Sequence, residues 1–339
     1  MRAFVITGPG RAEVQEVEPP VAGEGEVVVE VERAGVCGTD MEFYSGAMTY
    51  LRTGEARYPV RIGHEWAGVV RETGPGADPA WLGRRVTGDT MLGCGSCARC
   101  TGGRQHLCAD RHEIGIRNGR PGALAERLAV PARALQPLPG SVDPALGALV
   151  EPGGNAFRAV HAAALEPGQR LLVIGPGTIG LLAAMTAAAR GAEVHLAGVT
   201  GRSLEFARSL GFTRTWTVDG GLAGTRFDAV IDASTGPGSP ALALDLVEPG
   251  GRVVFIGLSA EPSLVDTRRL VLADVTAVGV LSASGGLAGT TELYASGRVD
   301  PRPLVAATVS LDEAAAVLAG RRRPEWGAAP KILIDPRLP

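Results

Sequence analysis

Up to about residue 150, the chain contains short apolar runs in which β-branched residues alternate or cluster between glycine and proline breakers. These runs are RAFVIT, EVVVEVERAGV, HEWAGVVRETG, RRVTGD and AERLAVPA. Short β-branched runs bounded by turn residues are typical of strands. The pattern therefore predicts an all-β module in this part of the chain.

From about residue 155 the pattern changes. The apolar runs RLLVIG, AEVHLAG, FDAVIDAS and GRVVFIG are separated by stretches rich in alanine and leucine that have helical character. Strands that alternate with helices indicate parallel βαβ units. We therefore predict an α/β domain with a parallel sheet.

After about residue 290, two short helical segments, TTELYASG and LDEAAAVLAG, precede a final strand, KILIDP. We expect this terminal strand to return to the first module, which makes that module discontinuous. The predicted domains are residues 1–153 together with 293–339, and residues 154–292.

The bulk composition narrows the class of protein. A length of 339 residues, with 45% hydrophobic and 20% charged residues, suits about two globular domains. The net charge of −3 gives no basic surface for nucleic acid or membrane, so small molecules are the expected partners. The uncharged stretch 171–189 is long enough to suggest a membrane span, but Gly175–Gly177 interrupts it and predicts strand, turn and helix instead.

Four of the five cysteines fall in one short glycine-rich loop: Cys94, Cys97, Cys100 and Cys108. Their close spacing lets one tetrahedral ion gather all four thiolates, which predicts a closed structural zinc site that stabilises the loop. The alternative is reactive or paired thiols, although cysteines separated by two residues pair awkwardly. With no apolar signal segment at the start, this usage indicates a reducing compartment, and we expect a cytoplasmic protein.

A second motif follows the predicted strand RLLVI and opens a helix: Gly175, Pro176, Gly177, Thr178, Ile179 and Gly180. In this strand–turn–helix context, G-x-G-x-x-G is the dinucleotide fingerprint, in which the backbone approaches a pyrophosphate at the helix N-terminus. A purely structural glycine turn is the alternative. The motif predicts a nicotinamide cofactor bound at this turn.

A third constellation is dispersed along the chain: Cys37 in VCGTD, His64 and Glu65 in IGHEWAG, and Glu151 in ALVEPGG. Thiolate, imidazole and carboxylate are ligands that zinc accepts, and a catalytic ion needs only three protein ligands and one open position. Taken singly, each residue could instead have an ordinary structural role. A lone cysteine, for example, is often a small buried hydrophobic residue.

The order GVCGTD, GHEWAGVV, the four-cysteine loop, VEPGG and VIGPGTIG resembles the zinc-containing medium-chain dehydrogenase/reductase family over essentially the whole chain. The resemblance implies a GroES-like catalytic domain and a Rossmann domain with a doubly wound parallel sheet. It also implies a catalytic zinc held by Cys37, His64 and one or both of Glu65 and Glu151.

The resemblance further implies roles for three residues that follow Cys37 closely in the chain. Asp40 is expected to accept a hydrogen bond that orients His64, and Thr39 to relay the substrate proton. Where many members carry a histidine, this chain has Glu42, which either ends the relay at solvent or is a simple exposed carboxylate. The CGTD-x-E pattern looks most like the sugar and glucose dehydrogenase branch, whereas GGN after Glu151-Pro152 departs from it.

Cofactor choice is expected to depend on the residues after the second strand of the α/β domain. An acidic side chain about 20 residues after the glycine motif would hold the ribose 2′-hydroxyl of NAD, but Gly198 stands there instead. Thr200 and Arg202 follow, and a hydroxyl with a guanidinium favours NADP over NAD. The alternative is that Arg202 only begins a helix.

Together these features predict a zinc-dependent oxidoreductase with two zinc ions per chain. It would transfer hydride between NADP, or NAD, and the CH–OH or C=O group of a sugar, polyol, cyclitol or secondary alcohol. We expect a homodimer or homotetramer. The alternatives are a zinc-free quinone or enoyl reductase of the same fold and a non-catalytic NADP(H)-binding regulator.

Overall fold

The computed structural model describes residues 1–222 and 224–339. Up to residue 163 the chain consists mainly of strands joined by short helices. The strands are β1 (Arg2–Gly8), β2 (Arg11–Glu16), β3 (Glu26–Gly35), β4 (Glu65–Thr73), β5 (Arg85–Gly88), β6 (Met91–Leu92), β7 (His112–Glu113), β8 (Arg127–Pro131) and β9 (Leu135–Pro137). The helices are α1 (Gly38–Ser45), α2 (Thr49–Thr53), α3 (Ala98–Thr101), α4 (Pro144–Ala148) and α5 (Val150–Ala163).

Beyond residue 163, strands alternate with helices. The strands are β10 (Arg170–Ile174), β11 (Glu193–Gly198), β12 (Thr215–Thr217), β13 (Phe227–Asp232), β14 (Val247–Phe255), β15 (Thr276–Gly279), β16 (Val305–Val309) and β17 (Lys331–Ile334). The helices are α6 (Thr178–Ala189), α7 (Gly201–Ser209), α8 (Ser239–Leu246), α9 (Thr267–Leu272), α10 (Leu287–Ala295) and α11 (Ala314–Leu318).

A seven-stranded sheet forms the core of the first module. Its order is β16-β17-β3-β4-β5-β9, and β8 also pairs with β3. Strand β3 pairs antiparallel with β4, β8 and β17, and Val27, Val28, Val29 and Val31 are fully buried. Residues 305–334 thus complete a sheet that begins at residue 26. The domain boundaries at 153/154 and 292/293 remain a prediction.

A six-stranded parallel sheet forms the second module, in the order β12-β11-β10-β13-β14-β15. Leu171–Ile174 of the central strand β10 is buried throughout, because helices cover both faces of the sheet. This arrangement confirms the predicted α/β class. The uncharged stretch 171–189 is strand, turn and helix α6, as predicted.

Three short or exposed strands had no clear sequence pattern, namely β12, β15 and β16. All three lie at sheet edges, where a strand needs less apolar surface than in a sheet centre. No helix within residues 1–222 and 224–339 combines the length and apolar character needed to cross a bilayer.

Candidate functional site

The predicted metal ligands lie where two neighbouring strands of the seven-stranded sheet meet. Cys37 follows β3 and is the N-cap residue of α1, whereas Glu65 begins β4. Gly35 and Glu65 are partners in the β3–β4 ladder, and His64 directly precedes β4. Strand pairing therefore brings the CGTD and GHE motifs together.

Cys37, His64 and Glu65 form one compact group of potential ligands. Their sulfur, ring nitrogen and carboxylate oxygen all lie within 4.8 Å of one another. His64 and Glu65 are buried, and Cys37 is half-buried. Burial of ionisable groups at this separation is costly unless they are paired or coordinate a metal. The donor set and its burial thus fit a divalent ion such as zinc.

Glu151 lies beside this group but outside it. It occupies the first turn of α5 and is 6% exposed, and its Oε1 accepts a hydrogen bond from Nδ2 of Asn155 at 2.9 Å. Burial raises the pKa of Glu151 to about 7, while the charge of nearby His64 opposes that rise. The carboxylate of Glu65 therefore belongs to the ligand group, whereas that of Glu151 lies next to the group.

A buried lysine completes the surroundings of Glu65. Nζ of Lys331 in β17 donates to both carboxylate oxygens of Glu65, at 2.8 and 2.6 Å, and to the carbonyl oxygen of Val36 at 3.0 Å. The motif spacing did not point to Lys331, although the sequence carried a signal. It is the only lysine among 33 basic residues, all the others being arginines.

Asp40 holds the backbone of both ligand segments. Its two carboxylate oxygens accept hydrogen bonds from the N–H of Cys37, at 2.9 Å, and from the N–H of Gly63, at 3.2 Å. The distance from Asp40 Oδ1 to His64 Nδ1 is 3.7 Å, which is longer than a hydrogen bond. Burial is the main cause that raises the pKa of this fully buried carboxyl.

The neighbours of His64 oppose the effect of burial on its pKa. Burial lowers the pKa of His64, but the carboxylate of Asp40 and the thiol of Cys37 raise it well above its usual value. Its buried Nδ1 has no hydrogen-bond partner among the described residues. An orphaned buried ring nitrogen is a further sign that the site takes a bound group.

The two predicted relay residues lie on the first turns of α1. Thr39 is half-buried and Glu42 is exposed. Residues three apart share one face of a helix, so the two side chains are neighbours on α1. Thr39 is thus the less exposed of the two and Glu42 the more exposed, and within residues 1–222 and 224–339 no direct hydrogen bond joins their side chains.

The four-cysteine loop gathers its sulfur atoms as a single metal ion would require. The Sγ–Sγ distances are 3.9 Å for Cys94–Cys100, 3.6 Å for Cys97–Cys100 and 3.8 Å for Cys97–Cys108. A zinc–sulfur bond of about 2.3 Å gives a tetrahedral edge of about 3.8 Å, whereas a disulfide needs about 2.05 Å. Backbone N–H groups of Ser96 and Cys97 lower the pKa of Cys94 to about 6, which favours the thiolate.

The glycine motif lines a cavity of about 810 Å³ at the carboxyl ends of the parallel strands. Pro176 lies in its wall, and Thr178 and Ile179 begin α6. Gly175 has φ +94°, and a Cβ on Gly180 would lie 2.0 Å from the carbonyl oxygen of Gly175. Both positions therefore require glycine.

Gly177 has a different reason to be glycine. A Cβ added to it would meet nothing within 4 Å, although the residue is the N-cap of α6 and its φ of −87° suits any residue. The open space lies where backbone N–H groups of the helix terminus can approach a pyrophosphate. This cradle fits a dinucleotide.

The end of β11 forms the next part of the cavity wall. Gly198 lines it with no acidic side chain, and a Cβ there would lie 2.9 Å from Cγ of Pro176. Thr200 caps α7, with its hydroxyl 2.8 Å from that of Ser203, which itself lines the cavity. Thr200 and Arg202 are adjacent to the lining rather than part of it.

Two features of this region were not expected. The Arg202 guanidinium donates to the carbonyl oxygen of Gly327, which belongs to the segment before β17. Asp219, just after β12, brings a carboxylate into the cavity wall. The sequence separation of Asp219 from the glycine motif hid this contact, because it depends on the pairing of β12 with β11.

Comparison with known proteins gives a consistent result. Residues 23–140 match the family described as alcohol dehydrogenase GroES-like domain, and residues 178–295 match the one described as zinc-binding dehydrogenase. L-threonine 3-dehydrogenase of Saccharopolyspora erythraea is 35% identical over 293 residues, which cover 83% of each chain.

Solved structures resemble the whole chain. A zinc-binding dehydrogenase of Sinorhizobium meliloti bound to NADP has a TM-score of 0.89 at 27% identity. An alcohol dehydrogenase of Escherichia coli complexed with NADH has a TM-score of 0.88 at 25% identity. In both comparisons 99% of each chain is covered.

Proposed function

Because this chain belongs to the zinc-containing medium-chain alcohol dehydrogenase family, an oxidoreductase family acting on CH–OH groups, we propose an NADP-preferring enzyme for a sugar, polyol, cyclitol or secondary alcohol. The observation that carries the proposal is the buried group of Cys37, His64 and Glu65 within 4.8 Å. A ligand group of this kind serves a reaction centre, because three protein ligands leave one position open.

Cys37 and His64 hold the catalytic zinc, and a glutamate supplies the third ligand. Glu65 is within reach but shares both oxygens with Lys331, whereas Glu151 spends one oxygen on Asn155. We assign Glu65 as the third ligand, because it lies within 4.8 Å of the ligand atoms of Cys37 and His64 whereas Glu151 lies outside that group, and Glu151 is the carboxylate that can replace it. Bound zinc supplies Lewis acidity towards the substrate oxygen, and the nicotinamide supplies the hydride acceptor or donor.

The chain's own residues manage the proton. We assign Thr39 as the relay group, because a hydroxyl both accepts and donates a proton and Thr39 lies two residues from Cys37. Glu42 takes the proton on towards solvent from the same face of α1. The alternative is that Glu42 is only a surface carboxylate. Glu42→Gln would then leave turnover unchanged at every pH.

Residues at the N-terminus of α6 would hold the pyrophosphate of a cofactor bound in this cavity. Preference for NADP is supported by Gly198 in place of an acid and by Thr200 and Arg202 beyond it. Asp219 acts against a 2′-phosphate, since its carboxylate shares the same wall. The NADP and NADH complexes of related structures show that both cofactors occur on this fold.

Cys94, Cys97, Cys100 and Cys108 hold a second, structural zinc. The Sγ separations of 3.6–3.9 Å support this assignment. All four ligands are protein thiolates, so no position remains open for substrate. The role of this ion is to hold the loop.

We also propose that the chain forms a homodimer or homotetramer. Strand β15 is a sheet edge, and the nearby side chains of Leu264, Val271 and Leu272 are 92%, 80% and 87% exposed. An exposed edge strand beside large apolar side chains is a surface that native proteins normally cover. A second copy of the chain is the proposed cover.

The deciding experiment combines metal analysis with a spectrophotometric panel of sugars, polyols, cyclitols and secondary alcohols, each with NADP and NAD. Two zinc ions per chain and cofactor reduction by at least one alcohol are expected. A metal-free chain that reduces quinones or enoyl groups would instead be a zinc-free reductase. Cofactor binding without turnover of any alcohol would indicate a regulator, and full turnover by Cys37→Ser would refute the catalytic zinc.

A further inference from the structure

The segment 319–330, between α11 and β17, reaches the cofactor cavity from the other module. Ala328 and Pro330 line the same cavity as Gly177 and Gly198. Arg202, which follows β11, donates to the Gly327 carbonyl of this segment, so we place the segment towards the end of the cavity where a Rossmann fold holds the adenosine ribose. The catalytic module thus contributes to the part of the site that reads the ribose.

Two guanidinium groups meet at this segment. Arg202, from α7, donates to the carbonyl oxygen of Gly327, and Nη2 of Arg322 donates to the carbonyl oxygen of Ala329 at 2.6 Å. The acceptors are two residues apart in the chain. Partial burial and then the positive charge of Arg202 lower the pKa of Arg322, as is expected for two cations that donate to neighbouring carbonyl groups.

No carboxylate neutralises either group. Among residues 1–222 and 224–339, neither Arg202 nor Arg322 forms an ion pair, whereas the neighbouring Arg323 pairs with Glu313 and lies over the ring of Trp326. Two unpaired cations held near each other repel, and an anion between them relieves that repulsion. The arrangement is an anion site that lacks a protein anion.

The surroundings favour a phosphate monoester. The hydroxyls of Thr200 and Ser203 and the N-terminus of α7 lie on the Arg202 side, and all three are groups that bind phosphate oxygens. A guanidinium has five N–H donors, so one hydrogen bond to a carbonyl leaves others available. Arginine suits phosphate because its planar fork donates two parallel hydrogen bonds.

We propose that Arg322 is a second determinant of the 2′-phosphate of NADP, reaching from the catalytic module to complete a clamp with Arg202 of the Rossmann module. This inference rests on the proposed preference for NADP. Since the clamp spans both modules, the 2′-phosphate also ties the segment before β17 to helix α7.

The test compares Arg322→Gln with Arg202→Gln and with Arg321→Gln as the matched control. Arg321 is the adjacent arginine in the same exposed turn, and its side chain makes no hydrogen bond or ion pair among the described residues. Dissociation constants for NADPH and NADH are measured by fluorescence titration of the zinc-loaded protein. Competition of 2′,5′-ADP and of 5′-AMP with the bound cofactor measures the contribution of the 2′-phosphate to binding.

Loss of a charge-assisted hydrogen bond corresponds to about a tenfold weaker NADPH complex in Arg322→Gln, with NADH binding changed less than about twofold. Arg322→Lys should recover part of the loss, and Arg321→Gln should match the parent. Thermal unfolding without cofactor checks that the segment keeps its fold.

The outcomes separate two failures. If the parent prefers NADPH and Arg322→Gln keeps that preference in full, or weakens NADPH and NADH equally, the role of Arg322 is overturned and the proposed function stands. If the parent itself binds NADH more tightly than NADPH, the proposed cofactor preference and the clamp both fall, while zinc-dependent alcohol oxidation with NAD is still measurable.

Discussion

The identity of residue 331 as a lysine is explained by its contacts in the fold. Every other basic side chain in the sequence is arginine, yet the position that faces Glu65 is lysine. A compact ammonium places one charge between two carboxylate oxygens and the carbonyl of Val36, in a space where both side chains are at most 3% exposed. The pair thus holds Glu65, the proposed metal ligand, in position from a strand far away in sequence.

Replacement of Lys331 by methionine should be strongly destabilising, because it leaves the buried carboxylate of Glu65 without its partner. Removing one member of a buried ion pair costs about 3–5 kcal/mol. Urea denaturation of the zinc-loaded protein measures the loss. Lys331→Arg retains the charge and should lose less, so equal unfolding midpoints for Lys331→Met and the parent would contradict the role assigned to the pair.

The glycine motif gives a second prediction, because two of its glycines serve different purposes. Gly180→Ala pushes a Cβ against the Gly175 carbonyl, so the fold should lose stability, whereas Gly177→Ala enters open space. Gly177→Ala should therefore unfold at the parent temperature without cofactor but bind NADPH more weakly. Calorimetry and titration measure the two effects, and a large stability loss in Gly177→Ala would show that the space is not a cofactor cradle.

At the scale of elements, the sequence indicated strands and helices well where apolar runs were long and buried. β3, β4, β10, β11 and β13 all coincide with predicted runs, since burial on both faces demands continuous apolar residues. Strands β12, β15 and β16 lack such runs because their stability comes from pairing at an exposed edge. The local sequence pattern therefore does not predict these edge strands.

If the four-cysteine loop binds zinc as proposed, the metal rather than a core holds it. It spans α3 and the turn 105–107, and most of its residues are exposed. Cys100→Ser should therefore lose one zinc per chain and loosen the loop. Limited trypsin digestion should then cut after Arg99 or Arg104, and mass spectrometry identifies the sites.

Cys37→Ser is the matched control for this loop. It should also lose one zinc, from the other site, but without new cleavage after Arg99 or Arg104. Resistance of Cys100→Ser to trypsin, at the parent level, would mean that the loop is ordered by protein contacts alone.

At the scale of the whole molecule, the candidate site depends on contacts that sequence order hides. The motifs predicted candidate residues for binding metal and cofactor, because ligand type and glycine spacing are local properties. No motif pointed to Lys331 or Asp219, since each reaches its place through strand pairing. The same limit applies to Glu151, whose position beside rather than within the ligand group is set by the start of α5.

The edge of the parallel sheet provides the test of assembly. If β15 of one copy pairs with β15 of another about a twofold axis, the exposed Val271 and Leu272 become buried in the dimer. The double change Val271→Glu with Leu272→Glu should then give a folded monomer, because both side chains are solvent-exposed within one chain. Light scattering coupled to size-exclusion chromatography measures the mass. The control is Val21→Glu, because Val21 is 82% exposed and lies in the other module. This variant should keep the mass of two or four chains. If the double variant also keeps the parent mass, this edge is not the interface.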